Sequence, residues 1–327
     1  MFLAGTGAYL QTRRGKTTSE VSRFLMTRGL WLVVLEITWV LCLGWQMNFA
    51  YDQIGLAVIW ALGVSMIVLS GLTYVPWRTV LVSSLVVIAL HNALDGLVPA
   101  QFGSMGWLWK ILHVEDKMQV SNHLTIRSGY PLIPWLAVMA AGYCFGRVMD
   151  MAPDRRRKFL VRLGLALTAG FVVLRWLSWY GDMQPWSAQS SPVLTLLSFL
   201  NCTKYPPSLL YLLMTLGPAI LILGLLDRIQ LAASNPLIVF GRVPLFYYLL
   251  HLPVIHGSAI LLFWARYGRL DSLSALGPLS VGFPPDFGYN LAIVYLIWFA
   301  IVIALYPACR WFAGVKQRNR SVVLSYF

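Results

Sequence analysis

Charged residues are scarce in this chain. Lysine, arginine, aspartate and glutamate make up 11% of its 327 residues, whereas soluble domains carry about 25%. Hydrophobic residues account for 58% of the sequence, and the mean hydropathy is +0.69. Several apolar runs reach the ~20 residues that a helix needs to cross a ~30 Å hydrocarbon core. The sequence therefore excludes an ordinary soluble domain and predicts an all-α, polytopic transmembrane helical bundle, with one domain over residues 1–327.

Cysteine is scarce as well. The four cysteines are scattered, and none forms a Cys-x-x-Cys pair: Cys42, Cys144, Cys202 and Cys309. This spacing indicates neither a disulfide framework nor a zinc site, and we expect no metal cofactor. Internal repeats are also lacking, which argues against a transporter built from inverted halves.

Acidic residues are the rarest charged type, 12 against 25 basic residues, for a net charge of +13. The basic residues cluster in alternate loops, near residues 12–28, 147–162 and 310–320. This distribution follows the positive-inside rule and argues against a nucleic-acid partner. It predicts a multi-pass protein with these loops and the C-terminus in the cytoplasm. The outer segments are then residues 48–53, 97–129, 180–204 and 266–287.

Eight full spans alternate without conflict in this topology. They are predicted at about 29–47, 54–75, 78–96, 130–149, 158–179, 205–226, 238–265 and 288–311. Residues 1–10 cover only ~15 Å as a helix, half of the hydrocarbon core, and are predicted to form a partial N-terminal helix. The capping-box pattern of Thr17 and Glu20 predicts a short interfacial helix before the first span.

Ionisable residues within spans are costly in lipid and indicate candidate sites. His91 and Asp95 are four residues apart on the span 78–96, so we expect the carboxylate to hold one ring nitrogen of His91. This spacing is typical of a general base with its orienting group, and a helix-end packing pair is the other interpretation. Asn92 lies between them. Glu36 is also buried in a predicted span, and the sequence does not identify its partner.

Further polar residues mark the outer ends of neighbouring spans. Tyr130 offers a hydroxyl there, although the prolines beside it also fit simple helix entry. Asp182 closes the span 158–179, and Lys204 and Tyr205 belong to a polar run before the next span. Lys204 either reaches the interface or binds an anionic group. These four residues are candidates for substrate binding, together with Asn92.

Two more histidines lie in the predicted span 238–265. His251 is near mid-membrane and His256 is nearer the outer surface, ~140° apart on an ideal helix. We favour His251 as a catalytic candidate and place His256 with the substrate-binding ones. Gly241 and Arg242 at the cytoplasmic entrance suit phosphate by backbone access and charge, although Arg242 also fits a topology-setting role.

Six stretches, in order along the chain, resemble the heparan-α-glucosaminide N-acetyltransferase catalytic-domain family of bacterial membrane proteins. They are FLAGTGAYL (2–10), RGLWLVVLE (28–36), HNALDG (91–96), YPLIPW (130–135), NCTKYPPSLLYLLMTLGP (201–218) and FGRVPLFYYLLH (240–251). The resemblance implies a bacterial inner-membrane enzyme. It implies transfer of an acetyl or other acyl group from cytoplasmic acyl-CoA to an amino sugar or other glycan on the far side.

In that family, another span and an outer loop with the histidine linked to acyl transfer precede the segment like residues 2–10. No residue of this chain matches that histidine. We therefore expect the natural reading frame to extend upstream of Met1, and the chain as given to lack acyl-transfer activity.

Three functional hypotheses remain open: a membrane acyltransferase, a transporter or flippase, and an inactive family member. For the enzyme, we expect His91 with Asp95, or else His251, to act as the general base. Lys204 or Tyr130 is expected to donate to the oxyanion. Arg28 and Arg242 are expected to bind the phosphates of acyl-CoA. We expect one cavity in the outer half of the membrane to contain His91, Asp95, Lys204 and His251. The expected partners are the lipid bilayer and a glycan or amino-sugar acceptor, and homo-oligomer formation is an open alternative.

Overall fold

The computed structural model describes residues 1–45, 48–49, 51–268, 288–319, 321 and 324. They form two compact units: Met1–Val33 with Gly55–Ile229, and Val34–Ile54 with Gln230–Phe327. Most of the predicted outer segment 266–287 lies outside the described residues. The prediction of one domain over residues 1–327 stays a prediction.

Nine α-helices begin in the described part of the first unit. They are α1 (Phe2–Thr12), α2 (Thr18–Leu35), α3 (Val58–Leu72), α4 (Trp77–Leu90), α5 (Gly106–Leu112), α6 (Leu132–Phe145), α7 (Pro153–Leu177), α8 (Pro192–Leu200) and α9 (Leu209–Leu226). Short 3₁₀ helices follow α4 (His91–Leu94), precede α5 (Pro99–Met105) and follow α6 (Gly146–Asp150). In the second unit, α2 continues as a π-helix (Glu36–Trp45), and α10 (Pro236–Arg242), α11 (Pro244–Tyr267) and α12 (Leu291–Arg318) follow.

Seven described helices are long and apolar enough to cross a membrane, and Val58–Leu72 is a shorter apolar helix. This confirms the predicted helical membrane architecture. Among the described residues, however, seven helices rather than eight are long enough to span, because the helix in the predicted span 54–75 has only 15 residues. The predicted interfacial helix is instead the first part of α2: its capping box forms, with the Thr17 N–H donating to the Glu20 carboxylate at 2.8 Å, and the helix continues unbroken. The predicted span 238–265 is two helices, because Val243 leaves helical geometry before Pro244, as residues before proline tend to do.

Small residues allow the helices of the first unit to pack closely. The central helix α6 is surrounded by α1, α3 and α4. A Cβ atom on Gly142 of α6 would lie 2.1 Å from the Phe2 carbonyl oxygen of α1. Helices α7 and α9 form a second close pair, in which a Cβ atom on Gly164 would lie 2.4 Å from the Leu221 nitrogen. This packing brings the end of α7 beside the start of α9.

A small sheet departs from the predicted all-α fold. Strands β2 (Asp116–Ser121) and β3 (Leu124–Ser128) form an antiparallel hairpin with Asp116 opposite Ser128. Strand β1 (Gln53–Leu56) completes the order β1-β3-β2. The helical prediction missed these strands because they are only four to six residues long, below what a search for ~20-residue apolar runs detects. We call residues 97–129, which contain the hairpin and α5, the cap.

In the second unit, α10 packs against α12. Their shared core is formed by Val239, Val243, Cys309, Phe312 and Ala313. The π-helix lies against α11, where the Trp39 indole N–H donates to the Leu249 carbonyl at 3.0 Å. This contact fixes the π-helix beside the part of α11 that contains His251.

Candidate functional site

Polar residues of the first unit gather where α4 and α7 end and where α6 and α9 begin. We call this the cap end of the unit. His91 is 2% exposed there, and its Nε2 lies 2.8 Å from the Pro207 carbonyl oxygen. Its Nδ1 lies 3.2 and 3.0 Å from the Val87 and Ile88 carbonyls. Both ring nitrogens of His91 therefore face main-chain oxygens.

The expected contact between His91 and Asp95 is wrong. Helix α4 ends at Leu90, and His91–Leu94 form a 3₁₀ turn. With three residues per turn, positions four apart no longer share a helix face. Asp95 instead accepts a hydrogen bond from a histidine in the cap: its Oδ1 lies 2.9 Å from Nε2 of His113.

Asp95 is the centre of a partly buried network. Its second oxygen accepts from the Asn92 side-chain nitrogen at 2.8 Å, and the Asn92 oxygen accepts from the Leu209 N–H at 2.8 Å. The side chains of His113 and Asp95 are 2% and 12% exposed. Asn92 thus connects the Asp95–His113 pair to the first turn of α9.

His113 follows α5 and lies among aromatic rings. Its ring centroid is 5.0 Å from that of Trp109 and 6.3 Å from that of His91. Trp109 itself stacks on Phe102, with centroids 4.9 Å apart. Within the described part of the chain, Nδ1 of His113 is buried and has no hydrogen-bond partner. Sequence reasoning missed His113, whose one signal is its place directly after the short apolar run 106–112.

Asp182 holds the segment before α9. Its carboxylate accepts from the Thr203 N–H at 2.7 Å, the Thr203 hydroxyl at 2.9 Å, the Ser208 hydroxyl at 2.7 Å and the Gln184 N–H at 2.9 Å. Ser208 is 1% exposed and also caps α9 by accepting from the Tyr211 N–H. All these contacts are internal to the chain. The proposed contact of Asp182 with substrate stays a prediction.

Tyr130, Tyr205 and Lys204 form a second group at the cap end. The two tyrosine hydroxyls are 3.1 Å apart, and the Lys204 nitrogen lies 5.0 Å from the Tyr205 ring centroid. A hydrogen bond with the Tyr205 side chain raises the pKa of Lys204 above its usual value. Lys204 is exposed, so it presents a stable positive charge beside two hydroxyls.

Arg175 is a buried residue that sequence reasoning also missed. It is 2% exposed, and its guanidinium donates to the carbonyls of Gln184, Ser198, Phe199 and Asn201 at 2.7–3.1 Å. In sequence it resembles an interfacial anchor at the end of a span. In the structure it fastens α8 and the following residues to α7.

The remaining predicted histidines belong to the second unit. Nδ1 of His251 faces the Tyr247 and Tyr248 carbonyls at 3.1 and 2.7 Å, and its ring stacks on Tyr247 with centroids 5.1 Å apart. His256 has a hydrogen bond with the Gly44 backbone. The roles predicted for His251 and His256 stay predictions, as does the cavity shared by His91, Asp95, Lys204 and His251.

The predicted phosphate-binding residues lie in both units. Gly241 and Arg242 are exposed at the end of α10, and the Arg242 carbonyl accepts from Lys316 at 3.1 Å. Arg28 lies on α2 in the first unit, with its guanidinium carbon 5.8 Å from the Phe24 ring centroid. Their role toward acyl-CoA stays a prediction.

These features define the class of the protein: a polytopic helical membrane protein with a partly buried polar network at one end of the helices of its first unit. The chain belongs to the family of the heparan-alpha-glucosaminide N-acetyltransferase catalytic domain, whose model matches residues 1–183. Comparison with curated proteins and with solved structures gave no match. The matched residues contain Asn92, Asp95 and His113, whereas Lys204, Tyr205 and α10–α12 lie beyond them.

Proposed function

We propose that this protein is a membrane acyltransferase that moves an acetyl or other acyl group from acyl-CoA to an amino sugar or other glycan. The partly buried Asn92–Asp95–His113 network carries the proposal, because it lies inside the segment that matches an acetyltransferase family. Acyl transfer needs a base for the attacking amine or hydroxyl and a donor for the oxyanion. The network supplies imidazole, and Lys204 with Tyr130 supplies donors at the same end of the unit.

The acyl donor is proposed to enter at the opposite, basic end of the first unit. The guanidinium carbons of Arg147 and Arg78 lie 4.8 and 5.7 Å from the Trp77 ring centroid, and both arginines are exposed. Arginine suits the phosphates of CoA, and an exposed indole offers a stacking face to adenine. Arg28 and Arg242 remain the candidates predicted from the sequence.

We propose that the basic loops and the C-terminus are cytoplasmic and that the cap faces outward, in a bacterial inner membrane. The basic residues of alternate loops support this orientation. A membrane-impermeant maleimide should label Ser190→Cys, in the outer segment 180–204, in intact cells. Arg155→Cys, which is also exposed, should be labelled only after permeabilisation. The reverse labelling pattern would contradict the orientation.

The activity test uses purified protein in nanodiscs with radiolabelled acetyl-CoA and a panel of amino sugars and deacetylated glycan fragments. Under this proposal, and against the sequence-based expectation of an inactive chain, acetylated product with stoichiometric release of CoA thiol is expected. Asp95→Asn should lose this activity, whereas Asp116→Asn should retain it, because Asp116 is a cap carboxylate paired with Lys110 at the exposed surface. Acceptor accumulation in proteoliposomes without acetylation would instead favour transport.

A further inference from the structure

We propose that a groove at the end of α12 binds the headgroup of an anionic phospholipid, with its phosphate between Arg310 and Arg318. The groove lies within the second unit and outside the residues that match the family model. The inference is therefore independent of the proposed acyl transfer. The volume of the groove is about 440 Å³, within the roughly 300–1,000 Å³ that is typical of small-molecule sites.

Two ridges of side chains on α12 form the walls of the groove, because residues four apart lie above one another on a helix. The first ridge consists of Arg310, Gly314 and Arg318, and the second consists of Pro307, Trp311 and Val315. Among the described residues, a Cβ atom on Gly314 would meet nothing within 4 Å. Gly314 therefore leaves a notch between the two arginines, whose Cα atoms are about 12 Å apart along the helix axis.

Arg310 and Arg318 give the groove two positive charges that no carboxylate balances in the described part of the chain. Both are exposed, and neither forms an ion pair there. The sequence from residue 287 to 327 contains no aspartate or glutamate. The helix dipole accounts for Arg318 in the last turn of α12 but not for Arg310, which lies about two turns earlier. Guanidinium groups bind phosphate in a bidentate geometry, so the two arginines favour a phosphate from outside the chain.

The second ridge indicates that this phosphate belongs to a lipid. Trp311 is 65% exposed, and an exposed indole on a membrane helix is typical of the headgroup level. The same row of residues four apart continues toward the middle of α12 through Ile303 and Phe299, which are 69% and 56% exposed. A phospholipid bound here places its phosphate at the arginines and its acyl chains along this apolar row. A free phosphate matches only the first of these two features.

The test uses the full chain in phosphatidylcholine nanodiscs that contain a trace of phosphatidylglycerol with a photoreactive headgroup. After irradiation and proteolysis, mass spectrometry locates the label. We expect crosslinks to be concentrated on residues 306–318 and to be displaced by unlabelled phosphatidylglycerol. Photoreactive phosphatidylcholine at the same fraction should label this segment much more weakly. Equal labelling by the two lipids would overturn the preference for an anionic lipid, and displacement by inorganic phosphate would indicate a site for a soluble anion instead.

Removal of both arginines tests the charge of the groove. Arg310→Gln combined with Arg318→Gln should lower the crosslink yield on residues 306–318 about 30-fold, because each basic residue beside an anionic headgroup contributes roughly fivefold. Arg155→Gln combined with Arg162→Gln is the matched control, since it removes two exposed arginines from α7 and should leave this yield unchanged. An equal loss in the two double variants would show a diffuse attraction and refute a defined site.

Gly314→Leu tests the notch while both charges remain. The site is open and leucine favours a helix more than glycine does, so the melting temperature should not fall. The crosslink yield on residues 306–318 should nevertheless fall as it does without the arginines, because the leucine side chain occupies the place of the phosphate. Gly170→Leu, at an equally open position of α7, should label as the wild type does. Wild-type labelling of Gly314→Leu would overturn the proposed place of the phosphate.

Discussion

Replacement of Arg175 by methionine should destabilise the protein strongly, although the hydrogen bonds that are lost go to main-chain carbonyls and not to a carboxylate. The guanidinium is 2% exposed and donates to four carbonyls of the segment 184–201. Three of the four acceptors, on Ser198, Phe199 and Asn201, lie at or just after the end of α8, where helix carbonyls run short of intrahelical donors; the Ser198 carbonyl also accepts from the Asn201 N–H at 3.3 Å. Methionine fills similar volume but removes the guanidinium donor from all four oxygens.

The expected magnitude follows from two opposing effects. Each hydrogen bond to a charged group contributes about 1.5–3 kcal/mol, whereas burial of the cation costs several kcal/mol. A net loss of about 2–5 kcal/mol is therefore expected for Arg175→Met. At roughly 2–4 °C for each kcal/mol, the melting temperature should fall by about 5–15 °C.

Thermal unfolding in one detergent, followed by tryptophan fluorescence at a fixed scan rate, measures this effect. Arg162→Met is the matched control, because Arg162 is an exposed arginine on the same helix, and it should melt within about 2 °C of the wild type. Arg175→Lys should fall between the two, since an ammonium has three donors for four acceptors. A variant Arg175→Met that melts with the wild type would refute the view that this cation fastens α8 to α7.

Three further predictions concern packing, a thiol and the acyl donor. Gly164→Ala should destabilise the protein by about 1–3 kcal/mol, because the added Cβ would lie 2.4 Å from the backbone of α9. Gly170→Ala on the same helix is the control: its Cβ would meet nothing within 4 Å, so stability should not change. Thermal unfolding measures both variants. Burial raises the pKa of Cys202 to about 11, so its thiol stays protonated at pH 8. Maleimide labelling of Cys202 there should be roughly 200-fold slower than for a peptide cysteine of pKa ~8.5 and should rise with pH; a peptide-like rate would contradict the shift. Replacement of both Arg28 and Arg242 by alanine should weaken acyl-CoA binding measured by calorimetry, and the loss should be larger at low salt than at high salt. An unchanged Kd would show that neither arginine binds the acyl donor.

Features that depend on local sequence were predictable. Apolar runs located the long helices, because crossing a ~30 Å core requires about 20 apolar residues wherever the chain passes through. The capping box of Thr17 and Glu20 forms as its spacing indicates. The partial helix at the N-terminus likewise appears as α1, from Phe2 to Thr12.

Features that depend on long-range contacts were not predictable from one sequence. The sequence supports a partner for Asp95 four residues away, but the 3₁₀ turn after α4 redirects the carboxylate to His113, 18 residues further along. His91 contacts Pro207, which is 116 residues away. Arg175 binds carbonyl oxygens, which every residue has, so no residue type in the sequence marks its partners.

The turn after α4 contacts two different parts of the first unit, so substitutions within this turn should have different effects. His91 and Asn92 connect it to Pro207 and Leu209 at the start of α9, and Asp95 connects it to His113 in the cap. Loss of His91 would disturb the position of the Pro207 segment, which contains no proposed proton-transfer group. Loss of Asp95 would act directly on the His113 imidazole, its hydrogen-bond partner in the cap. Under the proposed acyltransferase function, replacement of His91 should change stability and KM before it changes kcat, whereas replacement of Asp95 should change kcat first.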